Sequence, residues 1–161
     1  MIQRGTIYVA ADSNKRKAFI DSVFEVAGKN QYEAVFSPWD PGYPQYITLL
    51  DEILAKLSNS DLIVMDITMD KVGDDNWVLN YGVWAEYSMW AAMKRLSAIS
   101  VFAEESCPLE KLHPFVHKKV TTYSLNNLGK LKKDIQEAIL AFDNWRNLEF
   151  RRISNSLGRA L

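Results

Sequence analysis

The chain has 161 residues, 48% hydrophobic and 24% charged; that is one ordinary domain with a sizeable core, and it excludes whole-chain disorder. With 19 Lys and Arg against 20 Asp and Glu, the net charge of -1 argues against a generic nucleic-acid or membrane-surface binder. A single cysteine, Cys107, excludes an internal disulfide framework and a Cys-rich zinc site and suits a reducing compartment.

Residues 6–11 (Thr-Ile-Tyr-Val-Ala-Ala) form a short β-rich run, followed by the turn and cap residues Asp12, Ser13 and Asn14. Residues 15–27 carry Phe19, Val23 and Val26 at helical spacing, with Gly28 as the expected C-cap. A second strand is expected over 32–36. Residues 37–45 hold three of the five prolines and read as a loop. Residues 47–57 predict a helix with Leu50, Ile53, Leu54 and Leu57 on one face. The unbroken apolar centre of 61–66, Asp-Leu-Ile-Val-Met-Asp, predicts a parallel strand covered on both faces. Residues 69–75 read as loop, 83–95 as helix, 97–102 as strand, 104–114 as loop and 119–123 as a fifth strand. Residues 128–142 predict an amphipathic helix with Leu131, Ile135, Ile139 and Phe142 in register, and 145–161 a continuing or second helix.

Alternation with short connections predicts an α/β fold: an open, doubly wound, mostly parallel five-stranded sheet with helices on both faces, plus a C-terminal helical tail. The division expected is a nucleotide-binding, Rossmann-like domain over 1–143 and a helical extension over 144–161. Ligands of such sheets bind outside the carboxyl ends of the strands. No signal-peptide pattern and no apolar stretch of membrane-spanning length appears, so a cytoplasmic location is expected.

Two segments carry candidate chemistry. The first is the strand end Asp61-Leu-Ile-Val-Met-Asp66-Ile-Thr68. A carboxylate at the end of a buried parallel strand either meets a ligand in the crevice or caps the following loop. The second is Asn80-Tyr-Gly82-Val-Trp84-Ala-Glu86-Tyr87-Ser. Asn80 can shape the turn, Gly82 admits close backbone approach, and Glu86 falls in the opening helical turn, where the macrodipole favours the ionised form. An anionic carboxylate among aromatic groups suits a sugar C1′ of oxocarbenium character; a solvated first-turn Glu with core aromatics is the plainer alternative.

On these residues the chain resembles the nucleoside 2-deoxyribosyltransferase-like and bacterial TIR-like proteins. Their strand end, Ser-Asp-φ-φ-φ-Asp-φ-Thr (φ, apolar), aligns with Asp66 and Thr68. Their helix start, Asn-Pro-Asn-Val-φ-Tyr-Glu-φ-Gly, aligns with Asn80, Val83 and Glu86. Tyr81, Gly82, Ala85 and Ser88 depart from it. The resemblance spans most of 5–142 and is specific only around 60–90. It implies Glu86 as the catalytic carboxylate acting on the N-glycosidic bond of a nucleoside, nucleotide or NAD, and Asp66 as a substrate contact. Ala11, Asp12 and Ser13 would flank the ligand, with Thr68, Asn80, Gly82, Trp84, Tyr87, Trp39 and Asp40 as further binding residues. No cofactor and no metal are expected, and NAD enters as a candidate substrate. Partners expected are the small-molecule ligand and, through the C-terminal helix, a second copy or another protein; neither membrane nor nucleic acid is expected.

A second resemblance is to response-regulator receivers, with Asp66 as phosphoacceptor and Asp12 in a Mg²⁺-binding acidic cluster. Position 11 is Ala where a second acid is expected, and the fourth strand ends Phe102-Ala103 without Ser or Thr. A third alternative is a non-catalytic nucleotide sensor on the same fold. Weaker candidates are His113 and His117, Cys107, Tyr43 of the proline-rich loop, and Lys15, Arg16 and Lys17. The last three offer either a phosphate contact or a solvated basic turn.

Overall fold

The computed structural model describes residues 3–37, 46–74, 76–93, 98–112 and 120–157. In chain order the elements are β1 (Gly5–Ala10), α1 (Lys17–Lys29), β2 (Tyr32–Phe36), α2 (Tyr46–Ser58) and β3 (Leu62–Asp66), then β4 (Asp70–Val72), β5 (Asn76–Val78), α3 (Tyr81–Met93), β6 (Ile99–Glu104), β7 (Val120–Tyr123) and α4 (Leu128–Leu157). A 3₁₀ turn at Leu109–Lys111 follows β6.

Five strands form one sheet in the order β2-β1-β3-β6-β7, and every pairing in it is parallel. From β1 the chain winds outward to β2, then returns to the other side of β1 to lay down β3. The carboxyl ends of β1 and β3 therefore flank the point where strand order reverses, the position at which such sheets bind ligands. All five residues of β3 are buried, because a central parallel strand is covered on both faces. Helices α1 and α4 pack on one another, as do α2 and α3. Phe19, Val23 and Val26 of α1 and Leu131, Ile135, Ile139 and Phe142 of α4 join one core with the sheet. Phe19 sits between Tyr123 and Phe102, ring centroids 5.6 and 5.7 Å away.

Two sequence expectations need correction. Gly28 is not the C-cap of α1: the helix runs on to Lys29, and Asn30 closes it by donating from both its backbone N–H and its side-chain amide (2.8 Å) to the Val26 carbonyl. Gln31, at φ 65°, then turns the chain into β2. The stretch read as loop over 69–75 contains β4, paired antiparallel with β5 in a separate hairpin, with Gly73 at φ 70° in its turn. The C-terminal segment continues the preceding helix, one of the two forms expected for it, and residue 143 lies within α4. There Asp143, 7% exposed, accepts hydrogen bonds from Tyr32, Arg4 and Arg146, and Arg146 also donates to the Arg4 carbonyl. This clasp ties α4 to the start of the sheet, while Leu148, Phe150 and Ile153 beyond it are exposed. Among the described residues no helix is long and apolar enough to cross a membrane.

Candidate active site

The site is built around a tyrosine in the middle of a core strand. Tyr8 of β1 is fully buried, and a buried phenol needs a hydrogen-bond partner. Its hydroxyl donates to Glu86 Oε1 at 2.8 Å. Glu86 is 5% exposed and burial pushes its carboxyl up to about 8, against the opposing pull of the Tyr8 hydrogen bond. The same burial, reinforced by the Glu86 charge, raises the Tyr8 phenol far above its ordinary value. The macrodipole expectation for Glu86 is thus overridden. Helix α3 begins at Tyr81, which moves Glu86 into the second turn, past the reach of the terminus, and desolvation of the carboxylate outweighs what remains.

Asn80 sets the start of α3. Its Oδ1 accepts the N–H groups of Gly82 (2.9 Å) and Val83 (3.2 Å), the side-chain N-cap that an Asn in this position supplies. Its Nδ2 donates to Asp12 Oδ2 at 2.9 Å. The other oxygen of Asp12 accepts from the backbone N–H groups of Asn14 (2.9 Å) and Lys15 (3.2 Å), an Asx turn that shapes the loop after β1. One Asn–Asp bond thereby locks the β1 loop to the α3 terminus. Between them lies a cavity of about 210 Å³. The expected residues Ala11, Asp12, Ser13, Asn80, Gly82 and Glu86 all line it. Ser37, Asn14 and Val83 are the other described residues of the wall.

Asp66 and Thr68 belong to a different cluster and do not line this cavity. Asp66 is 3% exposed. Its Oδ1 accepts the Thr68 N–H at 2.7 Å, its Oδ2 accepts the Tyr123 hydroxyl, and Arg16 Nε lies 3.8 Å from it. Burial raises the Asp66 carboxyl above its ordinary value, and the bonds from Thr68 and Tyr123 and the Arg16 charge work against that rise. Arg16 also reaches Asp70 (3.1 Å) and Glu104 (3.7 Å), and Lys15 pairs with Asp70 at 2.7 Å. Thr68 Oγ1 accepts the Glu104 N–H at 2.8 Å. The cluster ties the ends of β3, β6 and β7 to the start of α1 and to the hairpin. A phosphoacceptor must be reachable, and this carboxylate is enclosed with both oxygens engaged. Among the described residues no three His, Cys, Asp or Glu side chains are grouped as a metal would need.

Trp84 and Tyr87 stack on each other along α3, centroids 5.0 Å apart, half-buried and beside rather than in the cavity wall. Trp39, Asp40, Tyr43, His113 and His117 lie outside the described residues. Cys107 is buried, accepts the Met69 N–H at 3.5 Å, and burial raises its thiol above the usual range, the reverse of what a nucleophile needs. Lys17, the last of the basic turn, pairs with Asp21.

Sequence reading missed Tyr8. Tyr8 carried a signal: a phenol within the apolar run of an interior strand demands a polar partner. Ser37, just past the carboxyl end of β2, lies in a strand-end segment where such sheets are expected to meet ligands, and it does line the cavity.

No family model and no curated protein matches this chain. Its fold is similar to that of a solved CMP N-glycosidase from Clostridium botulinum, BcmB, with a TM-score of 0.54, 14% sequence identity, and coverage of 81% of this chain and 96% of that one. At that identity the likeness is one of fold.

Proposed function

We propose that this protein breaks or exchanges the N-glycosidic bond of a nucleoside-type substrate, with Glu86 facing C1′. The observation that carries the reading is the Tyr8–Glu86 pair: a buried carboxylate with one donor, lining a cavity at the carboxyl edge of the sheet beside the Asp12–Asn80 bracket. The likeness in fold to a CMP N-glycosidase supports it at the level of reaction class, as does the resemblance of the 60–90 region to deoxyribosyltransferase-like and TIR-like proteins.

In this mechanism the C1′–N bond breaks with its electron pair going to the base, which takes a proton from solvent. Positive charge develops at C1′ and the ring oxygen. The Glu86 carboxylate stabilises it or bonds to C1′, and Tyr8 holds the carboxylate by its second oxygen. Water then adds to C1′ and releases a proton, giving the free sugar; a second base in place of water gives exchange. Burial that pushes the carboxyl up to about 8 favours its neutral form while no positive charge lies alongside. A developing cation alongside favours its ionised form, so the carboxylate is strongest where the transition state needs it. Asp12 and Asn80 meet sugar hydroxyls, while Asp66 positions the strand ends around the site through Arg16 and Tyr123.

Product analysis after incubation with ribo- and deoxyribonucleosides, their phosphates and NAD, at low and high protein concentration, tests this. A free base that appears with the wild-type protein and is lost in Glu86→Gln is the expected result. Base release that survives the substitution unchanged would overturn the mechanism.

A further inference from the structure

We infer that the cavity selects substrates without a 5′-phosphate: nucleosides rather than nucleoside monophosphates or NAD. This rests on the glycosidic reading above and sharpens it, and it departs from the substrate named for the CMP N-glycosidase of similar fold.

Three observations carry it. First, the described lining contains two acids, Asp12 and Glu86, and no Lys or Arg. The basic residues on the β1–α1 connection are already committed to carboxylates: Lys15 to Asp70, Arg16 to Asp66, Asp70 and Glu104, and Lys17 to Asp21. Second, the backbone N–H groups that would cradle a phosphate are capped from within. Asp12 Oδ1 takes those of Asn14 and Lys15, and Asn80 Oδ1 takes those of Gly82 and Val83. A loop after a strand and a helix N-terminus are the usual anion sites of such folds. Here an aspartate already occupies the one and an amide oxygen the other, and a phosphate dianion would meet the Asp12 charge instead of donors. Third, the Ser37 hydroxyl, in a residue 2% exposed, lines the cavity beside the Tyr8 phenol, on which it acts against the rise that burial causes. A serine hydroxyl offers one donor and two acceptor positions, so one phenol neighbour does not exhaust it. It can donate to and accept from an alcohol, which matches a sugar hydroxyl and leaves a dianion uncompensated. At about 210 Å³ the cavity is below the roughly 300–1,000 Å³ of clefts that enclose a whole drug-sized ligand, room for a sugar and part of its base.

The test uses matched pairs: cytidine with CMP, deoxyadenosine with dAMP, and nicotinamide riboside with its 5′-phosphate. It reads kcat/KM for base release by the wild-type protein and Kd by calorimetry on Glu86→Gln. The expected result is at least a tenfold preference for the unphosphorylated member in both readouts, narrowing as salt rises. Asn14→Arg, which sets a cation at the exposed rim of the wall, is expected to narrow or invert the preference. Equal or better use of the phosphate in either readout overturns the inference and leaves the glycosidic reading intact. Preferential nucleoside binding without base release does the reverse. Failure of every pair to bind removes both.

Discussion

Among the described residues three buried carboxylates accept tyrosine hydroxyls, and two of them, Glu86 and Asp66, are sent to different work by their surroundings. Glu86 receives one hydrogen bond, from Tyr8, and opens on a cavity. Asp66 receives Tyr123, the Thr68 N–H and the nearby Arg16 guanidinium, and lines no part of that cavity. Burial pushes both carboxyls up, so a raised pKa alone does not separate them. What separates them is completeness. A buried charge with its full set of donors and a cation is a structural bracket, whereas one left with an open oxygen facing empty space is available for chemistry.

The comparison breaks first at Glu86. Glu86→Gln should lower base release at least about 100-fold, the scale lost when a reacting group is removed, while leaving the fold intact. It should also change stability with a definite sign. The native carboxyl titrates near 8, against an ordinary 4.5, so between those values the unfolded chain holds fewer protons than the native one. Wild-type stability therefore falls as pH rises through that window. Glutamine has no such loss, and the Tm advantage of the variant should grow from pH 5 to pH 9. A constant difference would mean that Glu86 ionises normally.

Asp66 should fail in the opposite way. Asp66→Ala leaves Arg16 and Tyr123 without their shared acceptor and should cost about 3–5 kcal/mol, the scale for breaking a buried charged network, read by denaturant unfolding. Folded protein that remains should retain base release within a few fold; a loss matching that of Glu86→Gln would put Asp66 in the chemistry. Tyr8→Phe comes next. It removes the bond that holds the Glu86 carboxylate down, so the acid limb of kcat/KM should move above 8 and activity at pH 7 should fall by about tenfold. The smallest effect is expected at Asn80→Ala, about 1 kcal/mol for the lost helix cap, with KM rising more than kcat falls as the β1 loop is released from α3.

The same two regions show what was legible in the sequence. The motif over 80–86 is local: an Asn cap, a glycine and a Glu at fixed spacing on one helix, so the structure keeps Asn80, Gly82 and Glu86 together and adds Asp12 across one hydrogen bond. The sheet was legible for a similar reason, since the apolar run of β3 can only be a strand covered on both sides. Asp66 looked equally exposed to ligand in the sequence, because strand position says where a side chain begins and not what meets it. Its partners Arg16 and Tyr123 lie 50 and 57 residues away along the chain, and nothing local announces them. The hairpin of β4 and β5 was hidden because Asp70–Val72 and Asn76–Val78 are three residues each and mostly exposed, too short and too polar to show a period of two. The end of α1 slipped from Gly28 to Asn30 because an asparagine side chain can close a helix as well as a glycine.

The most direct test of the Glu86 assignment needs no turnover. A cationic iminoribitol, which carries positive charge where C1′ and the ring oxygen develop it, is compared with its uncharged tetrahydrofuran counterpart by calorimetry on the wild-type protein and on Glu86→Gln. The wild-type protein is expected to bind the cation at least about 100-fold more tightly than the neutral ring, and the substitution to bring the two affinities together. Equal affinities in the wild-type protein, or a preference for the cation that survives in Glu86→Gln, would contradict the assignment.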